Sequence, residues 1–289
     1  MLTYSCFRIR SKYQVVIMRQ RGGAFSEGDF GCVVHPGLST AVNPQLVVTK
    51  IFKDRSDKMR EDHINELISL HFPNDFIVKP IEDTINPQGN PEIRQCRMGQ
   101  DRHPVTDSEI IRYSIIYQYL GKTYREIFSE SPDYPSAELR ALIILTLKVI
   151  DMNMLGFSHN DISEANITYK DGSAYLIDIG SFTHRPGEYY FQDVFDLLNI
   201  LYRHGTVMGE IYRSRLQSFT AISIKTSHIQ QIKALLLEVL EYLGPMRGTV
   251  ARLPMHSRNV ERGEAGGARR HNRRRNKTKK RTKKTLRKL

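Results

Sequence analysis

Cysteine is scarce in this chain, whose 289 residues contain Cys6, Cys32 and Cys96 and no others. Their number is odd, and no two of them have the C-x-x-C spacing of a metal or redox motif. The sequence therefore argues against a zinc module and against a disulfide framework. So few thiols suit a reducing compartment.

Long apolar runs are also absent. The most apolar stretch, residues 139–150, is interrupted by Arg140 and Lys148, so it falls short of the roughly 20 apolar residues that a membrane span needs. The amino terminus lacks a compact apolar block with a small-residue cleavage site, which argues against a signal peptide. We therefore expect an intracellular protein with no membrane partner.

Acidic residues are missing from residues 269–289, where thirteen of the twenty-one residues are Lys or Arg. The whole chain has 43 Lys and Arg, 31 Asp and Glu and a net charge of +12, so residues 1–268 carry about −1. This distribution argues against a wholly basic nucleic-acid-binding fold. Residues 269–289 have no aromatic side chain to stack on bases, so they predict a disordered localisation segment or a charge-based contact with DNA, RNA or an acidic partner.

Apolar patterning divides the rest of the chain. β-like runs bounded by Gly, Pro or Asn occupy the first 120 residues, at 13–18, 32–35, 46–52, 76–81 and 114–119, with one helix at 59–71 and a polar insertion loop at about 86–107. Helical spacing follows at 136–155, 192–204 and 227–243, and we expect Ser136 to be the N-cap of the first of these. The order predicts an α+β protein with a β-rich domain at 1–120, a helical domain at 121–250 and a basic disordered tail at 251–289.

A glycine-rich turn joins two of the β-like runs, in Ser26-Glu-Gly28-Asp-Phe-Gly31-Cys-Val33. Glycines let backbone N–H groups approach phosphate oxygens without a Cβ in the way. A hairpin turn that binds nothing has the same local sequence, so this motif alone decides little.

A lysine, Lys50, lies within the apolar strand that follows. Such a lysine must leave the sheet toward water, an acid or a phosphate. Glu66 in the next helix is the acid we expect to meet it, because Leu67, Ile68 and Leu70 would dock that part of the helix; Glu61 is the rival.

Carboxylates and an amide recur at short spacing in Gly156-Phe-Ser-His159-Asn160-Asp161-Ile-Ser163-Glu-Ala-Asn166, and again in Asp178-Ile-Gly180 after a hairpin through Asp171-Gly172. A carboxylate five residues before an amide, with a second carboxylate past a hairpin, can orient a hydroxyl nucleophile and hold Mg²⁺ on a nucleotide. An Asp-Gly turn is equally common as plain structure.

Taken in order, these motifs resemble those of protein kinases over about residues 20–205. Among kinases, the chain is most similar to the divergent Ser/Thr kinases of large nucleocytoplasmic DNA viruses. The resemblance implies a bilobal fold with a β-rich N-lobe and a shortened helical C-lobe. It also implies an enzyme located in the cytoplasm or nucleus of a host cell, or in the virion.

The resemblance also implies roles for single residues. ATP would be bound by Ser26, Gly28, Gly31, Val33 and Lys50, and by the hinge residues Gln118 and Leu120. Asp161 would accept the substrate hydroxyl proton, Lys50 and Glu66 would complete the catalytic set, and Asn166 and Asp178 would hold Mg²⁺. Asp193 would support the loop that carries Asp161.

The chain departs from the kinase pattern most clearly around this loop. Asn160 replaces the usual Arg, Ser163 replaces the usual Lys, and only twelve residues separate Gly180 from Asp193, with no Ala-Pro-Glu motif. The leading hypothesis is an ATP- and Mg²⁺-dependent protein Ser/Thr kinase with an unidentified protein substrate. The alternatives are a pseudokinase scaffold and a small-molecule kinase of the choline or aminoglycoside type.

Overall fold

The computed structural model describes residues 24–27, 31–72, 76–99, 101–131 and 133–244. All of them belong to one compact unit, and the predicted division at about residue 120 stays a prediction. The predicted strand at 13–18, Gly28 and the basic tail at 251–289 lie outside the described residues.

Strands and helices both contribute to this unit, which confirms the α+β class. The strands are β1 Ala24–Glu27, β2 Gly31–His35, β3 Val47–Phe52, β4 Arg97–Met98, β5 His103–Pro104, β6 Ser114–Gln118, β7 Lys122–Thr123, β8 Phe157–Ser158, β9 Ile167–Lys170, β10 Ser173–Leu176 and β11 Thr183–His184. The helices are α1 Arg55–His71, α2 Asp107–Tyr113, α3 Tyr124–Glu130, α4 Ser136–Met154, α5 Gln192–His204, α6 Glu210–Thr220 and α7 Thr226–Leu243.

The largest sheet is antiparallel, with strand order β1-β2-β3-β6. Its register pairs Lys50 with Val33 on one side and with Ile115 on the other. Because side chains alternate along a strand, Lys50 and Phe52 lie on one face of the sheet and Ile51 lies on the other. The runs predicted at 32–35, 46–52 and 114–119 are therefore confirmed as strands, to within a residue at their ends.

The strand predicted at 76–81 is wrong. The segment forms isolated bridges only, at Ile77 and Pro80, because it divides its hydrogen bonds between two sheets. The N–H of Val78 bonds the carbonyl of Leu176 in β10, and the N–H of Ile81 bonds the carbonyl of Ile116 in β6. Pro80 has no N–H to extend either ladder.

Residues 86–107, predicted as a polar loop, instead cover one face of the sheet. They contain a 3₁₀ turn at Pro91–Gln95 and the β4–β5 hairpin. Together they bury a small apolar cluster against the sheet, which includes Cys32, Val34, Ile51, Ile93, Cys96, Met98 and Val105. The segment is polar at its turns and apolar where it meets the sheet.

A disulfide joins Cys32 in β2 to Cys96 in this segment, across 64 residues of sequence. The expectation of no disulfide is therefore wrong. The argument for a reducing compartment, which relied on free cysteines, no longer holds. Sequence spacing gave no sign of the pair, because the two cysteines meet only once residues 86–107 fold back onto β2.

Helix α1 begins four residues before the predicted start, since the side chain of Asp54 accepts the N–H of Asp57 and caps the helix. Its buried residues are Glu61, Ile64, Asn65 and Ile68. This spacing of three and four residues is one face of a helix. An acid and an amide thus share the buried face with two isoleucines.

Helix α4 is the centre of the helical part and packs against α5, α7 and β10. It begins at Ser136 with Pro135 at the N-cap position, so the predicted Ser136 cap is wrong by one residue. Gly156 follows its end with φ +80°, a conformation that favours glycine.

Helix α5 occupies the predicted residues. No helix in the described part of the chain is long and apolar enough to cross a membrane.

Packing of α7 can be tested with two adjacent leucines. Leu236 is fully buried, whereas Leu237 is 52% exposed. We expect Leu236→Ala to lower the free energy of unfolding by about 2–5 kcal/mol, because it removes buried methyl groups and leaves a cavity. Leu237→Ala is the matched control and should change it by less than about 0.5 kcal/mol. Equal effects in denaturant unfolding would contradict the packing of α7.

Candidate active site

Lys50 is the buried cation around which the candidate site is built. Its Nζ lies 2.7 Å from Oε2 of Glu61 and 2.8 Å from Oδ1 of Asp178. The lysine is 7% exposed, whereas the Asp178 side chain is 44% exposed. The ammonium group of Lys50 therefore joins α1 to the chain just after β10. Of its two carboxylate partners, that of Asp178 faces solvent.

Burial and ion pairing oppose each other in this triad. Burial disfavours the charged form of Lys50, but the charges of Asp178 and Glu61 outweigh it and hold the lysine pKa above its ordinary value. Burial also raises the pKa of Glu61 despite its pairing with Lys50. For Asp178 the lysine outweighs burial, so its pKa lies below the usual range. Lys50 and Asp178 thus each favour the charged form of the other.

The prediction that Glu66 meets Lys50 is wrong. Glu66 lies on the outer face of α1, where its side chain is 81% exposed and lies 3.9 Å from His63. The prediction relied on Leu70 pointing inward, but Leu70 is 74% exposed. The rival, Glu61, shares the buried face of the helix and meets the lysine.

Two residues that the sequence did not indicate hold Glu61 in place. The hydroxyl of Tyr117 donates to Oε1 of Glu61 at 2.7 Å. That same hydroxyl accepts from Nδ2 of Asn65 at 3.0 Å. Asn65 is one helical turn after Glu61, and this i, i+4 spacing was the only signal in the sequence. Both carboxylate oxygens of Glu61 thus have a partner within a buried network.

Asp161 and Asn166, predicted to work together, are in contact. Nδ2 of Asn166 donates to Oδ2 of Asp161 at 2.8 Å and to its backbone carbonyl at 2.9 Å. The described residues donate to Oδ2 of Asp161 but not to Oδ1. Burial, and next the charge of Asp178, raise the pKa of Asp161.

Residues 159–166, here called the Asp161 loop, are bonded to the end of β10. Nε2 of His159 contacts the carbonyl of Ile177 at 3.0 Å. The N–H of Ile177 donates to the carbonyl of Asn166 at 2.9 Å. Ile177 immediately precedes Asp178, so these bonds fix Asp178 relative to Asp161.

Asp193 has the supporting position that the kinase resemblance implies. It is 1% exposed, in the first turn of α5. Its carboxylate accepts the backbone N–H of His159 at 2.7 Å and that of Asn160 at 2.9 Å. It also accepts Nδ2 of Asn153 at 3.0 Å. A carboxylate satisfying two backbone N–H groups holds the loop just before Asp161.

Asn160 connects the Asp161 loop to residues 181–192, here called the short segment. Its Nδ2 lies 2.9 Å from the carbonyl of Ser181 and 2.9 Å from Oγ1 of Thr183. Strand β11 of the segment pairs with β8, which precedes the loop. Asn160 itself has φ 63°, in the left-handed region where asparagine is among the more tolerated residues. The short segment is therefore held in place by contacts that need no phosphorylated residue.

Those residues predicted to bind nucleotide that the structure describes lie on or next to the main sheet. Ser26 pairs with Val33 in the β1–β2 ladder, and Gln118 ends β6 two residues before the buried Leu120. The packing of the sheet itself requires a glycine at residue 31, since a Cβ there would lie 2.0 Å from the carbonyl oxygen of Ile51. The presence of Gly31 is therefore not by itself evidence of phosphate binding.

The oxygen donors near Asp161 suit a metal that arrives with a ligand. No group of three or more His, Cys, Asp or Glu side chains able to hold a metal occurs in the described parts of the chain. Mg²⁺, however, is usually bound by one or two carboxylates, with waters and substrate phosphates completing its shell. The exposed carboxylate of Asp178 and the amide oxygen of Asn166 fit that requirement.

No protein-family model matches the chain, and no curated protein matches it. The chemistry of the site therefore has to be argued from its own geometry.

The contacts of Asn160 can be tested through stability. Asn160→Gly keeps the left-handed backbone accessible and removes the amide, so we expect the free energy of unfolding to fall by about 1–3 kcal/mol. Asp171→Gly is the matched control, since Asp171 also has positive φ and is exposed; it should change the value by less than about 0.5 kcal/mol. Urea unfolding of both variants measures the difference. An unchanged Asn160→Gly protein would contradict the role given to the amide.

Proposed function

We propose that the chain is an ATP- and Mg²⁺-dependent phosphotransferase with a kinase-like division into a β-rich and a helical lobe, acting on Ser or Thr hydroxyls of a protein. One observation carries the proposal: Lys50 lies between Glu61 and Asp178, while Asp161 is bonded to Asn166. A cation, a general base and two oxygen donors for a metal are the groups that phosphoryl transfer requires.

Each group has one task in this proposal. Lys50, oriented by Glu61, binds phosphate oxygens of the nucleotide. Asp161 accepts the proton of the attacking hydroxyl at Oδ1, the oxygen that the described residues leave free. Asn166 holds Asp161 through its amide nitrogen, which leaves its amide oxygen toward a metal.

Mg²⁺, bound with ATP, would neutralise charge that develops on the phosphates. Asn166 and Asp178 would hold it. The pKa of Asp178, lowered by Lys50 against the effect of burial, keeps that carboxylate ionised and ready to bind a cation.

A small-molecule phosphotransferase is the second candidate. The favouring observation is the short segment, which Asn160 and β8 hold against the Asp161 loop and which leaves little chain to form a peptide platform. Labelling of metabolites without labelling of proteins would favour this candidate over a protein kinase.

The general base provides the first test of function. Full-length protein, labelled ATP, Mg²⁺ and a mixture of acidic and basic acceptor proteins should give labelled protein. Asp161→Asn should lower the rate by about 10²–10⁴-fold, because it removes the proton acceptor and keeps the shape. Equal labelling by wild type and variant would contradict the proposal.

A binding measurement separates loss of chemistry from loss of fold in the same variant. Mg²⁺-ATP should raise the melting temperature of wild type and of Asp161→Asn alike, and EDTA should abolish the rise. If the nucleotide stabilises the protein and no protein or metabolite is labelled, the chain acts as a pseudokinase scaffold.

The partner of Lys50 gives a second test, with a matched control on the same helix. Glu61→Gln should lower the turnover rate roughly 10- to 100-fold, because Lys50 loses one of the two groups that orient it. Glu66→Gln changes an exposed residue and should leave the rate within about twofold of wild type. A larger effect at Glu66 than at Glu61 would overturn the assignment.

A further inference from the structure

Glu164 lies in a tight turn between the two functional residues of the Asp161 loop. The N–H of Asn166 donates to the carbonyl of Ser163 at 2.9 Å, which is the bond that closes a four-residue β-turn. Glu164 and Ala165 are the two central residues of this turn. The turn brings the side chain of Asn166 back to Asp161, to which it donates two hydrogen bonds. The position of Glu164 therefore bears directly on the contact between Asp161 and Asn166.

The last turn of helix α5 holds the side chain of Glu164. Nε2 of His204 lies 2.8 Å from Oε1 of Glu164. Because a carboxylate oxygen accepts, the hydrogen of this bond is on Nε2 of the imidazole. The side chain of Glu164 is 14% exposed and that of His204 is 7% exposed, so little water competes for the bond. A hydrogen bond to a carboxylate is roughly twice as strong as one between neutral groups, so His204 can fix the position of the turn.

Two further contacts of Glu164 come from neighbouring helices. Its backbone carbonyl accepts the N–H of Arg125, in α3, at 3.0 Å. Its Oε1 also lies 3.3 Å from Nη2 of Arg203, but the arginine side chain is 58% exposed. Exposed ion pairs contribute little to holding a structure together. Among the side-chain contacts of Glu164, the buried bond to His204 is therefore the one that constrains it most.

Aromatic residues hold the ring of His204 in turn. Its centre lies 3.8 Å from the ring centre of Phe128 and 5.1 Å from that of Tyr134. Nδ1 of the imidazole is buried and has no hydrogen-bond partner among the described residues. Burying such a group costs free energy that an apolar ring would not cost. Packing alone would therefore be served better by an apolar residue, and the specific contribution of the imidazole is its bond to Glu164.

Helix α5 thus holds the Asp161 loop on both sides of Asp161. Asp193, in the first turn of the helix, accepts two backbone N–H groups just before Asp161. His204, in the last turn, binds Glu164 just after it. A loop attached to one helix at two points has fewer accessible conformations than a loop attached at one point.

We propose that His204 is a positioning residue of the phosphotransferase: through Glu164 it fixes the turn that keeps Asn166 bonded to Asp161. The inference rests on the proposed function and adds to it a determinant of the chemical step that acts from the far end of α5. Nucleotide binding also relies on Lys50, which belongs to the sheet and not to this turn. Loss of the bond should therefore change kcat more than the KM for ATP.

Two substitutions separate the hydrogen bond from the packing of the ring. His204→Gln keeps an N–H donor and removes the ring, whereas His204→Phe keeps a ring and removes the donor. In the full-length protein, with labelled ATP, Mg²⁺ and acceptor proteins, His204→Phe should lower kcat about tenfold to a hundredfold, because Asp161 is displaced. His204→Gln should stay within about threefold of wild type, and both should change the KM for ATP by less than about threefold. Equal kcat values in the two variants, or the lower value in His204→Gln, would overturn the inference.

The acceptor of the bond provides an independent pair of variants. Glu164→Gln keeps an oxygen that can accept from Nε2 and should keep most of the activity, whereas Glu164→Met has a similar length and no such oxygen. Glu164→Met should lower kcat as much as His204→Phe, and the double variant should lower it no further, because both changes remove the same bond. Arg203→Gln is the control and should stay within about twofold of wild type. Losses that multiply in the double variant would contradict the pairing.

Hydrogen exchange distinguishes this inference from the proposed function, because it needs no turnover. Measured by mass spectrometry on the full-length protein, the amides of residues 161–166 should exchange about tenfold faster in His204→Phe than in wild type or His204→Gln. Faster exchange in His204→Phe, together with a wild type that transfers no phosphate, contradicts the proposed function and supports the hold of His204 on the loop. Phosphate transfer with equal exchange and equal kcat in the two variants does the reverse.

Discussion

The structure depends on the neutralisation of one buried charge. Lys50 projects from the middle of a sheet into a space where its ammonium group is stable only beside acids. The two acids lie 11 and 128 residues away in sequence. The register of β3, the rotation of α1 and the position of the chain after β10 are therefore constrained together by a single nitrogen atom. Removing Lys50 would leave two carboxylates without their cation, whereas removing either acid would leave Lys50 with a single ion-pair partner.

Carboxylates also organise the backbone around that charge. Asp193 accepts hydrogen bonds from two N–H groups of the Asp161 loop. The side-chain amide of Asn160 in turn donates a hydrogen bond to the short segment. Loop, segment and helix α5 thus share one hydrogen-bonded network. These bonds restrict the conformations of the loop, and in the proposed phosphotransferase they would hold Asp161 in position as the base.

Local patterns in the sequence predicted much of this arrangement, and contacts between distant segments account for the errors. Strand β3 and helix α5 are set by their own apolar spacing, so their positions were predictable. The choice between Glu61 and Glu66 depended on which face of α1 is buried, and Leu70 pointed to the wrong one. One partner of Glu61, Tyr117, comes from a strand 56 residues away, which no local pattern reveals. Cys32 and Cys96 likewise meet only in three dimensions.

The segment predicted as a polar insertion loop is part of the packing of the main sheet. Residues 86–107 supply one half of an apolar layer whose other half is the sheet that carries Lys50 on its opposite face. Trimming these residues to obtain a smaller protein would expose Cys32, Val34 and Ile51 to water. Any shortened version of this chain therefore has to keep the segment, because the sheet relies on it for one of its two sides.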